Sequence, residues 1–453
     1  MIRLALLRPD VEEVAALLAE AAPREQGCFL LLREGRGAGG RRLVAVDPIL
    51  PPPDAWEAQG PDMLRPTARW ISAAVSRAVS ERAGLLFVHA HPDTAHPPAL
   101  SRVDRRSAEA LGEAIGPLLD GPFGFAVVHP HGWAAAVYDA GARRLVEVDR
   151  TWAVGRTLER LDVIEHSAPA AIDARQRHAL GRAHDVLRSL TVAVVGAGGL
   201  GSPTAEQVVR MGAHRVILVD HDLLDTESNL RRVFGARAAD LRATAAPRKV
   251  DVVGRHLDSL GLGTEVARVF GDVRDEAVFR ALLDADVVVC ATDTHGSRAA
   301  VNELVAPYFV PVIDVGVRAG AKTNGDLAAL TAEVRVLTPT TPCLWCRGAI
   351  SGDVIRAENL PADERQRLAT EGYLVGWSGA PAPSVAALTV LASGLAAAAL
   401  LGLLTSEGEA CPSGYVVDGL FGDGIELGPS EPVSTCRCRR RLGAADAEPP
   451  PLR

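Results

Sequence analysis

Residues 191–209, TVAVVGAGGLGSPTAEQVV, decide how the second half of this chain is read. The run TVAVV is apolar, β-branched and of strand length, and a helical pattern starts near Ser202. The glycines between them therefore form a strand-to-helix turn. Gly196, Gly198, Gly199 and Gly201 allow a tight turn that brings backbone N–H groups close to a phosphate. The positive end of the following helix favours the same anion. The next apolar run, RVILVD, ends at Asp220 about twenty residues on, where a carboxylate can meet a ribose. Taken alone, the pattern fits any Rossmann-type nucleotide enzyme, an NAD-dependent oxidoreductase included.

Strands and helices alternate on either side of this unit. TEVARVFG, ADVVVCATD and VPVIDVGV read as further strands, and DARQRHALGRAHDVLRSL as one helix leading into the first. That rhythm predicts an α/β domain over 171–440 with a doubly wound parallel sheet. Residues 1–150 read instead as an α+β domain. Its helices are DVEEVAALLAEAA and ARWISAAVSRAVSER; its strands are CFLLL, RRLVAVDPIL, GLLFVHAH and a pair within FAVVHPHGWAAAVYD. The pattern weakens over 151–170, which reads as a linker, and residues 441–453 read as a disordered tail. A length of 453 residues suits two domains.

Composition narrows the function classes. A formal charge of -8 with no sustained basic run argues against a nucleic-acid partner. The seven cysteines are Cys28, Cys290, Cys343, Cys346, Cys411, Cys436 and Cys438. An odd number without a secretory leader points to a reducing, cytoplasmic setting and to metal or catalytic use. Residues 385–404, VAALTVLASGLAAAALLGLL, are long enough to span a bilayer. They are rich in Ala, Gly, Ser and Thr and lack a Lys/Arg bracket, so they read as a buried helix, with no membrane partner.

Three constellations carry chemistry. In HAHPDTAHPPALSRVD, residues 89–104, His89 and His91 emerge from one face of a strand end and can share one ion. Asp104 offers a third ligand, His96 within the loop another, and Glu25 in PREQGCFLLL a base for a metal-bound water. Ser101 with Asp104 is equally a helix N-cap pattern. Downstream of the glycine turn, Asn229 and Arg232 in ESNLRR and Lys249 in PRKVDVV suit a triphosphate. Asp293 in CATDTHGSR follows a strand end, where a carboxylate can hold magnesium. Finally, Cys343 and Cys346 in PCLWC, with Cys436 and Cys438 in STCRC, form the two halves of a zinc knot. Cys411 is a possible replacement ligand.

From about 170 to 440, the set GxGGxGS, D-x-D, S-N-L-x-R, Lys and T-D resembles the ThiF/MoeB/HesA adenylyltransferases, the core of ubiquitin-activating enzymes. The resemblance implies Asp220 on ribose, Asn229, Arg232 and Lys249 on the phosphates of ATP, and Asp293 on Mg2+. It also implies a homodimer in which Arg175 reaches the neighbouring subunit's site, and a structural Zn2+ on the four cysteines. The first part, Glu25 with HAHP and SRVD, resembles the JAMM (Jab/MPN) metalloprotease motif. That implies a cytidine-deaminase-like fold, a catalytic Zn2+ on His89, His91 and Asp104, Glu25 as general acid/base, and Ser101 steadying the oxyanion.

The sequence departs from these families in five places. The stretch Asp222–Asn229 is one residue longer than the pattern, and the aromatic-basic pair that usually precedes the arginine is absent before Arg175. The His91–Ser101 loop runs long, the second cysteine pair is C-x-C, and no cysteine lies between 347 and 410 to form a thioester. Together the two resemblances imply ATP-dependent adenylation of the C-terminal glycine of a small ubiquitin-like or sulfur-carrier protein ending in Gly-Gly. A zinc peptidase would process or deconjugate the same partner. One alternative is sulfur-carrier activation in thiamin, molybdopterin or cysteine biosynthesis without protein conjugation. The other is an NAD-dependent oxidoreductase with a non-catalytic first domain.

Overall fold

The computed structural model describes residues 1–453 apart from 92–96, 165–170, 322–323, 325, 373, 375–383, 406–412, 419–423, 427–430 and 453. His96 and Cys411, raised above as alternative ligands, lie outside the described residues. The rest falls into two compact units. The first is Met1–His166 with Pro307–Phe309 and Arg441–Pro449; the second is Ser167–Ala306 with Val310–Arg440 and Pro450–Arg453.

The strands of the first unit are β1 (Ile2–Leu7), β2 (Gly27–Arg36), β3 (Arg41–Ile49), β4 (Trp56–Gln59), β5 (Leu64–Pro66) and β6 (Gly84–Ala90). They continue with β7 (Phe123–His129), β8 (Gly132–Asp139), β9 (Arg144–Glu147), β10 (Arg150–Val154) and β11 (Leu158–Arg160). Nine of them form one mixed sheet in the order β11-β10-β1-β3-β2-β6-β7-β8-β9, while β4 and β5 make a separate hairpin. The pleat sends Cys28, Leu30 and Leu32 of β2 to the same core as Leu86 and Val88 of β6. Helix Arg8–Ala21 adds Val14 and Leu18 to that core.

Two expectations for this unit are corrected. Residues 151–160 are not linker: β10 pairs in parallel with β1, and β11 folds back on β10. All five β10 residues are buried, so the strand has no alternation to read and is too short for any other period. Nor is 441–453 a disordered tail throughout. Ala444 and Ala445 are buried, and the Asp446 carboxylate accepts from the Tyr308 hydroxyl at 2.7 Å and the Arg36 amide at 2.9 Å. Those partners are far off in sequence, so the polar, proline-rich composition concealed them.

The second unit contains β12 (Thr191–Val195), β13 (Arg215–Asp220), β14 (Glu265–Phe270), β15 (Val287–Cys290), β16 (Val312–Ala321), β17 (Leu327–Leu337), β18 (Gly414–Asp418) and β19 (Gly424–Glu426). Their order is β14-β13-β12-β15-β16-β17-β18-β19. The first five run parallel, as expected of a Rossmann-like sheet. The last three are antiparallel, so the sheet is mixed, not parallel throughout. Too few residues separate β16 from β17 for a crossover, which leaves only a hairpin.

The chain leaves β12 for β13 on one side, while β15 lies on the other, so a crevice opens beyond the carboxyl ends of these strands. The glycine turn fills the floor of that crevice. Gly196 has φ +96°, and a Cβ on Gly201 would lie 1.7 Å from the Gly196 carbonyl oxygen, so no side chain fits where helix Gly201–Arg210 leaves the sheet. The helix expected over 173–190 is instead broken at Gly181 (φ +52°) into Ala174–Leu180 and Arg182–Leu187.

Helix Ala386–Leu403 is the one helix among the described residues long and apolar enough to cross a membrane. Its stripe of Leu388, Ala392, Ala396, Leu400 and Leu403 is buried, and its Ser393 hydroxyl accepts from the Gln207 amide at 2.8 Å. It packs on helix Gly201–Arg210, β16 and β17.

Candidate functional site

The crevice of the second unit holds a cleft of about 590 Å³, within the ~300–1,000 Å³ usual for small-molecule sites. Of the residues singled out from the sequence, Gly196, Gly198, Gly199, Asp220, Arg232, Lys249 and Asp293 line it. Gly201 sits behind the turn, where its role is close packing. Asn229 is buried and braces Arg232, whose Nη2 donates to the Asn229 Oδ1 at 3.1 Å. Arg175 is exposed on helix Ala174–Leu180 and is not among the lining residues.

Asp220 already accepts two backbone hydrogen bonds, from Ala197 N at 2.6 Å and Asp222 N at 2.7 Å. Burial pushes its carboxyl up, against those two amides and the Lys249 ammonium. It thus ties the glycine turn to the end of β13. Lys249 is buried, and its Nζ donates to Asp222 Oδ2 at 2.5 Å.

The sequence reading missed the opposite wall. Arg298 grips Asp314 with two donors, Nε at 2.8 Å and Nη2 at 2.5 Å. Arg335 donates to the same Asp314 at 3.1 Å and to Glu333 at 2.6 Å. Arg318 approaches Glu333 to 2.8 Å. Asp314 and Arg335 are register partners across β16 and β17, so the only signal was opposite charges at positions whose pairing the sequence does not reveal.

In the first unit, β6 delivers His89, His91 follows just past its end, and helix Arg102–Ile115 delivers Asp104 from its first turn. The two Nε2 atoms are 3.1 Å apart, and the Asp104 oxygens lie 3.3 Å from each. Ligand atoms around a tetrahedral zinc at ~2.0–2.1 Å sit roughly 3.3–3.4 Å apart, so the three fit one ion. Nδ1 of His89 is buried without a hydrogen-bond partner, and burial draws the pKa of the ring down, against the Asp104 carboxylate and, more weakly, the Ala126 carbonyl.

The helix-cap reading of Ser101 and Asp104 is seen directly, and it leaves the Asp104 carboxylate facing both histidines. Ser101 and Asp104 form a full capping box, Asp104 N donating to Ser101 Oγ at 3.1 Å and Ser101 N to Asp104 Oδ2 at 2.7 Å. Burial works against the Asp104 charge, but hydrogen bonds from His89, His91 and Ser101 outweigh it and hold the carboxyl well below its usual range. Glu25 stands just before β2 with Oε1 3.9 Å from His91 Nε2, beside the ligand set and not in it. Burial, opposed by His91, pushes its carboxyl up to about 7. Its backbone is pinned by Gly60, to whose carbonyl its N–H donates at 2.7 Å.

The four cysteines of the knot also converge. Cys343 Sγ lies 3.6 Å from Cys346 and 3.7 Å from Cys436, and Cys346 lies 3.7 Å from Cys438. Sulfurs about a zinc at ~2.3 Å sit about 3.8 Å apart, so the set fits despite its C-x-C half. Hydrogen bonding from Cys438 outweighs burial and holds the Cys343 thiol down at about 5, whereas burial raises Cys436 to about 11. Thiols this close cannot all ionise without a cation. The other described cysteines, Cys28 and Cys290, are buried, which pushes each thiol up to about 12.

Comparison with known proteins bears on the second unit. The ThiF family model matches residues 174–437. The sulfur carrier protein ThiS adenylyltransferase of Bacillus subtilis is 29% identical over 160 residues, 35% of this chain and 44% of that protein. The SAMP-activating enzyme E1 of Haloferax volcanii is 26% identical over 160 residues, 35% of this chain and 54% of that protein. The match thus spans about half the length of these curated relatives. The solved structure of the microcin C7 biosynthetic enzyme MccB with N-formylated MccA aligns at a TM-score of 0.43 and 18% identity, covering 56% of this chain and 69% of that one.

Proposed function

The chain belongs to the ThiF family, and from that premise we propose that its second unit uses ATP to adenylate the C-terminal glycine of a small ubiquitin-like or sulfur-carrier protein ending in Gly-Gly. The first unit is a JAMM-type zinc peptidase that processes or deconjugates the same partner, and the enzyme works as a cytoplasmic homodimer. The observation that carries the reading is the convergence of the glycine turn, Asp220, Arg232, Lys249 and Asp293 on one cleft. A nicotinamide enzyme has no need of that cationic and acidic set.

In the adenylation step an oxygen of the partner's terminal carboxylate attacks the α-phosphorus of ATP. The bond to the bridging oxygen of the β-phosphate breaks, and pyrophosphate leaves with the electron pair. Arg232 and Lys249 hold the phosphates and offset the charge that gathers on the leaving group. The amides of the glycine turn face the same anion. Magnesium, when bound by Asp293, supplies further charge neutralisation. Arg175 serves the site of a second copy.

In the first unit a zinc ion, when bound, supplies a Lewis acid that makes water acidic near neutral pH. Glu25 takes the proton from water and passes it to the leaving amine. Ser101 Oγ accepts from Asp104 N, which leaves its own proton free to donate to the developing oxyanion. Four converging sulfurs support a second, structural zinc. Cys346→Ser is therefore expected to lower the zinc content from two ions per chain to one and to lower Tm. An unchanged content by atomic emission would remove the knot from the reading.

Cys28 and Cys290 are buried thiols, and no cysteine stands between 347 and 410, where relatives that form an enzyme-bound thioester carry theirs. That observation favours a narrower second reading, in which the adenylate passes to sulfur-carrier chemistry with no protein conjugation. A thiocarboxylate mass shift on the partner would mark it, and isopeptide-linked products would count against it. The test of the main reading is ATP–pyrophosphate exchange by the full chain that depends on a small Gly-Gly-ended protein. Cleavage of a C-terminal extension from that protein is the companion test. Nicotinamide-dependent hydride transfer without exchange would overturn the assignment.

A further inference from the structure

Helix His295–Asn302 begins directly after Asp293 and Thr294, on the wall of the nucleotide cleft. A helix start offers unpaired amides, the usual seat for a phosphate. Here every amide of the first turn is taken. The Thr294 hydroxyl oxygen accepts from Ser297 N at 3.2 Å. The two remaining donors, His295 N and Gly296 N, both point to one carboxylate, Glu358, at 2.8 Å each.

Glu358 ends the short helix Gly352–Glu358, which follows the first cysteine pair in sequence. The same segment is tied to the cleft wall at three more points. Arg298 Nη1 donates to the Ala349 carbonyl at 3.1 Å, Ser351 N to His295 Nδ1 at 3.0 Å, and Arg274 Nη1 to Asn359 Oδ1 at 2.9 Å. Arg298 and His295 both line the cleft. The segment is thus fastened to the turn that presents Asp293, with Glu358 supplying its two charge-assisted bonds.

We infer that Glu358 is a positioning residue for magnesium-ATP, acting through the Asp293 turn. Its carboxylate closes the helix start to the triphosphate, so the phosphates bind only at the glycine turn with Arg232 and Lys249. It also holds Asp293 in one place, so the carboxylate need not be ordered when the ion binds. This inference rests on the reading of Asp293 as the magnesium carboxylate.

The test is the magnesium dependence of ATP binding to the full chain, followed with a fluorescent ATP analogue over a magnesium series. Loss of a helix cap weakens its first turn severalfold, so Glu358→Ala is expected to raise the magnesium concentration at half-saturation about tenfold. Binding at saturating magnesium stays within about twofold. Glu358→Gln keeps one acceptor and the side-chain volume, and recovers to within about threefold of the unmodified chain.

An unchanged magnesium midpoint in both variants would overturn the proposal while leaving adenylation standing. A loss of equal size at every magnesium concentration would reduce Glu358 to a structural role and overturn it as well. Should Glu358→Ala not fold, the midpoint of Glu358→Gln decides alone. An unmodified chain that binds no ATP at any magnesium concentration removes the adenylation reading and this proposal with it.

Discussion

Glu25→Gln is expected to keep the zinc content of the first unit and to lower cleavage of the partner's C-terminal extension by about 10²–10⁴-fold. The three convergent ligand atoms belong to His89, His91 and Asp104, while Glu25 Oε1 stands off from His91 at 3.9 Å. An isosteric amide there leaves the ligands and the Glu25 backbone bond to Gly60 in place, yet it cannot take a proton from water. His91→Ala is expected to lose both zinc and cleavage, because two remaining ligands do not hold a catalytic ion.

The pH profile carries the same information. Glu25 is a base only when ionised, so cleavage falls as pH drops through its pKa. Burial sets that pKa at about 7 in the metal-free site, and a cation beside it draws the acid limb lower. The limb is absent from whatever residual rate Glu25→Gln retains. Full cleavage by either variant would sink the assignment. Pyrophosphate exchange, whose groups all lie in the second unit, is expected to stay at the unmodified level, and the zinc retained by Glu25→Gln is the control for folding of the first unit.

Much of the second unit was legible because its signals are local. The glycine turn, Asp220 at a strand end and Asp293 past another are each fixed by a strand and the few residues after it. Lys249 and Arg232 joined them only as a set, since either alone reads as a surface charge. What the sequence hid is pairing at long range. Arg298, Asp314, Arg335 and Glu333 are spread over almost forty residues, and Glu358 is more than sixty residues from the amides it caps. The antiparallel turn at β17 was hidden for the same reason, and so were β10 and the buried alanines at 444 and 445.

The first unit shows the opposite case. Ser101 and Asp104 offered two readings that looked like rivals, a helix cap and a ligand set. They are compatible, because the cap uses Asp104 Oδ2 and the backbone while both carboxylate oxygens still face the histidines. The cap in fact fixes the rotamer that a ligand needs. Spacing within the motif could not reveal this, since a capping box and a ligand carboxylate ask for the same residues.

Lys249→Ala is expected to lower the maximal rate of ATP–pyrophosphate exchange by about 10²–10³-fold, the usual loss when one preorganised charge is removed from a transition state. Lys249 begins helix Lys249–Asp258, is buried, and holds Asp222 at 2.5 Å beside Asp220. Its removal does two separable things. It takes away the cation that offsets charge on the departing pyrophosphate, and it leaves the half-exposed Asp222 carboxylate with only His221, 3.4 Å away, beside a cleft that must accept a tetra-anion. The second effect weakens ground-state and transition-state binding alike, so it raises KM for ATP without touching kcat.

The double variant Lys249→Ala/Asp222→Ala tells the two apart. Removal of the carboxylate that Lys249 no longer offsets is expected to bring KM back toward that of the unmodified chain, while kcat stays low. Lys249→Arg keeps the charge on a larger, planar head that a buried slot shaped for an ammonium does not accept, so it restores little. Exchange within about tenfold of the unmodified rate in Lys249→Ala would mean that the ion pair with Asp222 is only structural. The charge on the phosphates would then have to come from Arg232 and from the Arg298 side of the cleft.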